Sequence, residues 1–163
     1  MTRKTSFHPV VRADARLLVL GSLPGERSLA EARYYAHPQN QFWRLMSPVA
    51  GCDLPALAYA DRLEALTAAR IALWDVVASA HRRGSTDAAI REATSNDLPA
   101  LVDALPALRA VAFNGGAAAA IGRRMLAGRA VALVTLPSSS PLHTVGIDAK
   151  RPAWSALAAY VRP

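Results

Sequence analysis

The sequence predicts an α/β fold in which a parallel sheet of four strands is covered on both faces by helices. Three observations predict it. Four short apolar runs recur along the chain, at residues 17–20, 71–74, 109–113 and 130–136. They read as strands buried on both faces rather than as half-exposed alternating strands. Helical sequence separates one run from the next, as a parallel sheet with crossover connections requires. The chain of 163 residues, 52% hydrophobic, is long enough to bury a sizeable core as one domain spanning 1–163.

The elements follow in order. Residues 1–16 are polar and basic and are expected to form an arm or a short edge element. Residues 17–20, Leu-Leu-Val-Leu, form the first strand. It stops at Gly21-Ser22-Leu23-Pro24-Gly25, a turn whose glycines let the backbone approach a ligand closely. A short helix is expected from about Ser28, which has the capping-box spacing with Glu31. Residues 40–49 carry Phe42, Leu45, Met46 and Val49 at helical spacing, and 55–68 carry Leu57, Leu63 and Leu66. The second strand, 71–74, runs into Asp75, Val76 and Val77.

Residues 81–87 form a basic loop. Ser85 or Thr86 is expected to cap a helix over 88–93, and Ser95 or Asn96 to cap another over 98–105. The third strand, 109–113, ends at Asn114-Gly115-Gly116 and leads into an alanine-rich helix over 117–126. The fourth, 130–136, ends at Pro137-Ser138-Ser139-Ser140-Pro141-Leu142-His143. A helix over 152–161 closes the chain, with Trp154, Leu157 and Val161 on one face.

Composition narrows the function classes. The formal charge is +7, carried by arginine except at Lys4 and Lys150, which suits a polyanionic partner. No apolar run reaches the roughly 18 residues of a membrane span, and the first residues lack a signal peptide's apolar stretch. A cytoplasmic protein that does not enter membranes is expected. Cys52 is alone, and His8, His37, His81 and His143 have no ligand spacing, so neither metal nor cofactor is expected.

Each strand end is marked: Gly21 to Gly25, Asp75, Asn114, and Pro137 to His143. Ligands bind beyond the carboxyl ends of strands in open parallel sheets, so the chemistry collects on one edge. The segment Tyr34-Tyr35-Ala36-His37-Pro38-Gln39-Asn40 adds stacking and hydrogen-bonding groups there. Taken singly, these residues have plainer readings: Tyr34 and Tyr35 as core aromatics, Asn40 as a helix N-cap, Asp75 as a turn cap, Asn114 as a helix entry.

Together, GSLPG, YYAHPQNQFW, LWDV, RRGSTD, FNG and LPSSSP resemble the uracil-DNA glycosylase superfamily, and within it the hypoxanthine-DNA (deoxyinosine) glycosylases, from Leu17 to Trp154. The resemblance implies a three-layer α/β/α sandwich around a four-stranded parallel sheet. It implies a monofunctional glycosylase that flips a deaminated base out of DNA and hydrolyses its N-glycosidic bond. Hypoxanthine is the favoured base, with xanthine and uracil as further candidates.

By the same resemblance, Gly21, Ser22 and Leu23 contact the flipped nucleotide and Tyr35 stacks on its base. Asp75 or Asn114 reads the base edge. Ser138, Ser139 and Ser140 bind phosphate and Leu142 wedges into the base stack, with Arg82, Arg83 and Lys150 adding phosphate contacts. Many relatives carry a carboxylate or amide within the first motif; Ser22 and Leu23 stand there instead, and the catalytic amide maps onto Asn40, whose oxygen is expected to orient the water. The expected partner is DNA containing deaminated bases, approached by a monomer. Two rivals remain open at this point: a non-catalytic DNA-binding module of the same fold, and an α/β enzyme acting on free nucleosides.

Overall fold

The computed structural model describes residues 3–143 and 145–163; residues 1 and 2 of the expected arm lie outside the described residues. In chain order the elements are β1 (Arg3–Thr5), β2 (Leu17–Gly21), α1 (Glu26–Glu31), α2 (Phe42–Ala50), α3 (Tyr59–Ala68), β3 (Ile71–Asp75) and β4 (Val77–His81). They continue with β5 (Arg91–Ser95), α4 (Leu98–Asp103), β6 (Ala110–Asn114), α5 (Gly116–Met125), β7 (Ala132–Leu136), α6 (Ile147–Ser155) and α7 (Ala158–Val161).

The central sheet is parallel, in the order β3-β2-β6-β7. Its middle strand β2 is buried along its whole length, and its side chains alternate between two cores. Leu17 and Val19 pack with Phe42, Leu45 and Met46 of α2 and Trp154 of α6. Leu18 and Leu20 pack with Leu98 and Val102 of α4 and Ala118 of α5. Each fully buried leucine contributes about 1.5–3 kcal/mol relative to exposure. This double burial is why β2 and β6 read as continuous apolar runs, and it goes with the three-layer α/β/α sandwich.

A second sheet differs from expectation. Strands β1, β4 and β5 form an antiparallel sheet in the order β1-β4-β5. The helix expected over 88–93 is a single 3₁₀ turn, Asp87–Ala89, followed by β5. Every residue of β5 is exposed, so no apolar face could pack a helix there, whereas the backbone of β4 offers free hydrogen-bonding groups. Arg3–Thr5 covers the other edge of β4, which makes the arm an edge element.

Other boundaries shift for local reasons. Ser28 lies inside α1 and accepts the Ala36 N–H at 3.0 Å, so it caps nothing; Gly25 occupies the N-cap position. Asp97, not Ser95 or Asn96, caps α4 through the Ala100 N–H. The final helix begins at Ile147 and breaks after Ser155 into α6 and α7. The order of strands reverses direction between β2 and β6, which places the switch point at Gly21 and Asn114.

Candidate active site

A cleft of about 660 Å³ opens at that switch point. Its walls come from the turn after β2, the segment before α2, the ends of β3 and β6, the loop after β4 and the loop after β7. Gly21, Ser22, Leu23, Tyr35, Asn40, Asp75, Asn114, Ser138, Ser139, Ser140 and Leu142 all line it, so the structure brings together most of the residues singled out above. Arg82, Arg83 and Lys150 are not among its walls.

Gly21 permits the closest approach. A Cβ on it would stand 2.7 Å from Asp75 Oδ1 and 3.1 Å from the Tyr35 hydroxyl. The absence of that carbon lets β2 and β3 bring Asp75 against the tyrosine. Asp75 is only 3% exposed, and its Oδ2 has no hydrogen-bond partner. Burial, reinforced by the charge of Asp87 and opposed by Arg82, pushes its carboxyl up to about 7.

Tyr35 sits in the left-handed backbone region at φ +53°, a strained position for a tyrosine. Its carbonyl accepts the Trp43 indole N–H at 3.1 Å, and its ring stacks on Phe42 with centroids 3.9 Å apart and planes 10° from parallel. One face of the ring is therefore covered by Phe42. Burial and the Asp75 charge raise its hydroxyl well above the ordinary phenol range.

A continuous polar chain fixes the opposite wall. Asn114 donates through Nδ2 to Ser139 Oγ at 2.8 Å and to the Tyr35 hydroxyl at 3.3 Å. Its Oδ1 accepts the Ser139 backbone N–H at 2.9 Å. Ser139 Oγ then donates to Asn40 Oδ1 at 2.8 Å, and that oxygen also accepts the Phe42 N–H at 3.0 Å. Asn40 lies one residue before the N-cap of α2, which is Gln41, and its side chain bonds the first helical N–H while lining the cleft.

Several expectations are corrected here. The Asn40 oxygen does not stand free to orient water, because two donors occupy its lone pairs; its Nδ2 is the unengaged group. Asn114 lines the cleft and is bonded to Ser139 and Tyr35, which latches the loop. Ser139 is 1% exposed and faces inward, away from any phosphate, whereas Ser138 and Ser140 are half-buried at the loop surface. Leu23 packs its side chain against Val77 and Ala80.

Arg82 is also corrected. It is buried, and its guanidinium donates to Gly84 O at 2.9 Å, to Leu23 O at 3.3 Å and to Pro24 O. It ties the loop after β4 to the turn after β2 instead of meeting phosphate. Lys150 is buried as well, with Nζ donating to His143 O at 3.3 Å, and burial lowers its ammonium. Arg83 remains exposed, and Leu142, 60% exposed, stands at the lip.

Sequence reasoning passed over two features. Asp87 ends the basic loop and lines the cleft, where its Oδ1 accepts the Ser22 hydroxyl at 2.6 Å. The one acidic residue closing an otherwise basic segment was its only signal. Arg33, Arg44 and Arg62 flank a second recess that shares Tyr35, His37 and Asn40 with the cleft. These arginines are scattered over three segments and carry no common motif. Among the described residues, no three histidine, cysteine, aspartate or glutamate side chains are grouped to hold a metal ion, and no helix is long and apolar enough to cross a membrane.

A sequence model described as the uracil DNA glycosylase superfamily matches residues 8–158. A protein of Methanosarcina barkeri named hypoxanthine DNA glycosylase is 42% identical over 113 residues, which are 69% of this chain and 72% of that one. A protein of the same name from Methanosarcina acetivorans is 35% identical over 154 residues, 94% of this chain and 97% of its own. The solution structure of a candidate uracil DNA glycosylase from Methanosarcina acetivorans superposes with a TM-score of 0.88 at 34% identity, covering 98% of this chain and 99% of that one.

Proposed function

The chain belongs to the uracil DNA glycosylase superfamily, and from that premise we propose that it is a DNA-deoxyinosine glycosylase. It hydrolyses the N-glycosidic bond of a deaminated base in DNA, hypoxanthine first, as the opening step of base excision repair. The observation that carries this reading is the cleft at the switch point: a tyrosine platform backed by Phe42, a buried carboxyl with an orphaned oxygen, and an anchored amide meet in one cavity beside an exposed leucine.

Deamination of adenine replaces an amine donor by the O6 acceptor and puts a proton on N1. A selective pocket must answer both changes. Asp75 suits the task because its Oδ2 is unpartnered and its carboxyl titrates near neutrality, so it can accept from N1–H or donate to O6. Tyr35 would hold the ring by stacking. Leu142 would fill the vacated stack, a common use of apolar wedges. Extrusion costs a few kcal/mol, less for a weakly paired lesion, which adds selectivity.

Bond cleavage develops positive charge on the sugar and negative charge on the departing base. Asn40 is a weak base, and its role is positional: its oxygen is anchored between α2 and Ser139, and its Nδ2 is directed by that anchoring. Neither Lys4 nor Lys150 lines the cleft, so no lysine among the described residues can form a Schiff base there, and the strand is left uncut. Arg83, Ser138 and Ser140 would meet phosphates. One chain suffices for this chemistry, which takes place on cytoplasmic DNA, the nucleoid in a bacterial-type cell.

The test is direct. Duplexes carrying inosine, xanthosine or uracil are incubated with the protein and treated with alkali. Cleavage of the inosine strand only after alkali is the expected result; no abasic product from any of the three removes the enzyme. Base-independent binding without product would favour the DNA-binding module, and release of hypoxanthine from free inosine would favour the nucleoside enzyme.

A further inference from the structure

The attacking water needs an acceptor for its proton, and Asn40 does not offer one. Its Oδ1 already receives the Phe42 N–H and the Ser139 hydroxyl, which fills both lone pairs. Asn114 is committed to the loop after β7. Glu26 lies at the cleft edge in an ion pair with Lys4 at 3.5 Å. His37 is exposed at the rim, and its Nδ1 accepts the Gln39 N–H. Asp75 is sealed beneath Gly21, where burial favours its protonated form and suits it to the base edge. One carboxylate in the cleft is left.

We infer that Asp87 is the acceptor that takes the proton of the attacking water, a catalytic carboxylate delivered to the first-motif turn from the loop after β4. The inference rests on the glycosylase reading given above. Ser22, in the turn after β2, holds the Asp87 carboxylate in place. Its hydroxyl donates to Asp87 Oδ1 at 2.6 Å, a short charge-assisted bond. Among the described residues, Oδ2 has no hydrogen-bond partner and stays available.

The loop that carries Asp87 is built to stay in place. Arg82 spans from Gly84 O to the carbonyls of Leu23 and Pro24. Ser85 Oγ accepts the Glu26 N–H at 2.9 Å, and Lys4 donates to Gly84 O at 2.8 Å. Gly25 admits the loop closely, since a Cβ there would stand 3.2 Å from Ser85 Oγ. A buried arginine is costly to desolvate, and here its donors fasten one loop to one turn. Asp87 and Asn40 both line the cleft, so one water within it can be shared between them.

The step balances as a hydrolysis. The C1′–N9 bond breaks and its electron pair leaves with the base. The water oxygen bonds to C1′, and one water proton passes to Asp87 Oδ2. The departing base takes a proton from solvent, and Asp87 returns its own to solvent. Asn40 Nδ2 can donate to the water oxygen and hold it on line.

Asp87→Asn tests this without disturbing the clamp, because the new amide oxygen still accepts the Ser22 hydroxyl. General bases typically contribute 10²–10⁴-fold, so single-turnover excision of hypoxanthine should fall about 100-fold or more, with duplex affinity within about threefold of the parent. Asp87→Ala should regain rate in proportion to added formate, which restores an acceptor in the vacated space. An Asp87→Asn rate within about threefold of the parent, or an Asp87→Ala variant indifferent to formate, overturns the inference. Both are read against a parent protein that excises hypoxanthine. A parent that excises nothing overturns the glycosylase reading instead.

Discussion

The Ser139 hydroxyl donates to the Asn40 amide oxygen at 2.8 Å, across 99 residues of sequence. The bond joins the loop after β7 to the N-terminus of α2 and sets which atom of the amide is free. Ser139 receives Asn114 Nδ2 in turn, so the three side chains orient one another. Cooperative networks of this kind are worth more than their separate bonds.

Asn40→Ala removes both the acceptor of the Phe42 N–H and the amide nitrogen. Loss of that bond should cost about 1 kcal/mol of stability. Turnover should fall far more than DNA affinity, and equal losses in the two would make Asn40 a structural residue only. Asn40→Asp keeps an acceptor for Phe42 and Ser139 but loses the Nδ2 donor. Near-parental melting with a large loss of single-turnover rate is the expected pair of results.

Ser139→Ala leaves Asn114 Nδ2 without its nearer acceptor and Asn40 Oδ1 without one donor. An unsatisfied buried polar group costs about 1–3 kcal/mol, so the melting temperature should drop. The rate should drop further than stability alone explains, because the Asn40 amide loses its tether. Denaturant unfolding beside single-turnover assays at a temperature where the variant stays folded separates the two.

Asp75 makes stability depend on pH with a definite sign. Its folded pKa, about 7, lies above the unfolded value near 4, so between them the folded state binds more protons. The stabilisation is fully present below about pH 4 and is lost as pH rises through about 7. Asp75→Asn removes the ionisable group, so its advantage over the parent should widen from pH 5 to pH 8, on the order of 2–4 kcal/mol at the upper end. Thermal melts across that range check it, and parallel parent and variant curves would contradict it.

Arg82 and Arg83 should behave oppositely although they are neighbours. Arg82→Ala strands carbonyls of Leu23, Pro24 and Gly84 and should destabilise the fold by several kcal/mol, on the order of 1–3 kcal/mol per buried group. Arg83→Ala should leave stability within about 0.5 kcal/mol and reduce the slope of log affinity against log salt by about 1. Melting curves and salt titrations of DNA binding distinguish them.

Leu142→Ala touches an exposed side chain and should shift stability by no more than about 0.5 kcal/mol. Excision from a fully paired duplex should slow, while excision from single-stranded DNA, which needs no wedge, should change little. Equal slowing on both substrates would remove the wedge role.

The central sheet was legible because β2, β3 and β6 are buried almost throughout, β7 is a short apolar run, and the helices repeat their apolar residues at fixed spacing; these are local patterns. The marked strand ends at the GSLPG turn, Asp75 and Asn114 were legible for a related reason, since parallel strands send their carboxyl ends to one side. Strand β5 was not legible: all five of its residues are exposed, and its conformation comes from pairing with β4. Nor were the inward turns of Arg82, Lys150 and Ser139, which read as surface donors by composition. Only the folded chain decides whether a polar group meets water or a carbonyl brought from elsewhere. Ser22 and Asp87 lie 65 residues apart, and Asn40 and Ser139 lie 99 apart. Side-chain periodicity reports which face of an element is buried, but a hydrogen bond depends on where two distant loops stop in space, and that is set by packing of the whole core.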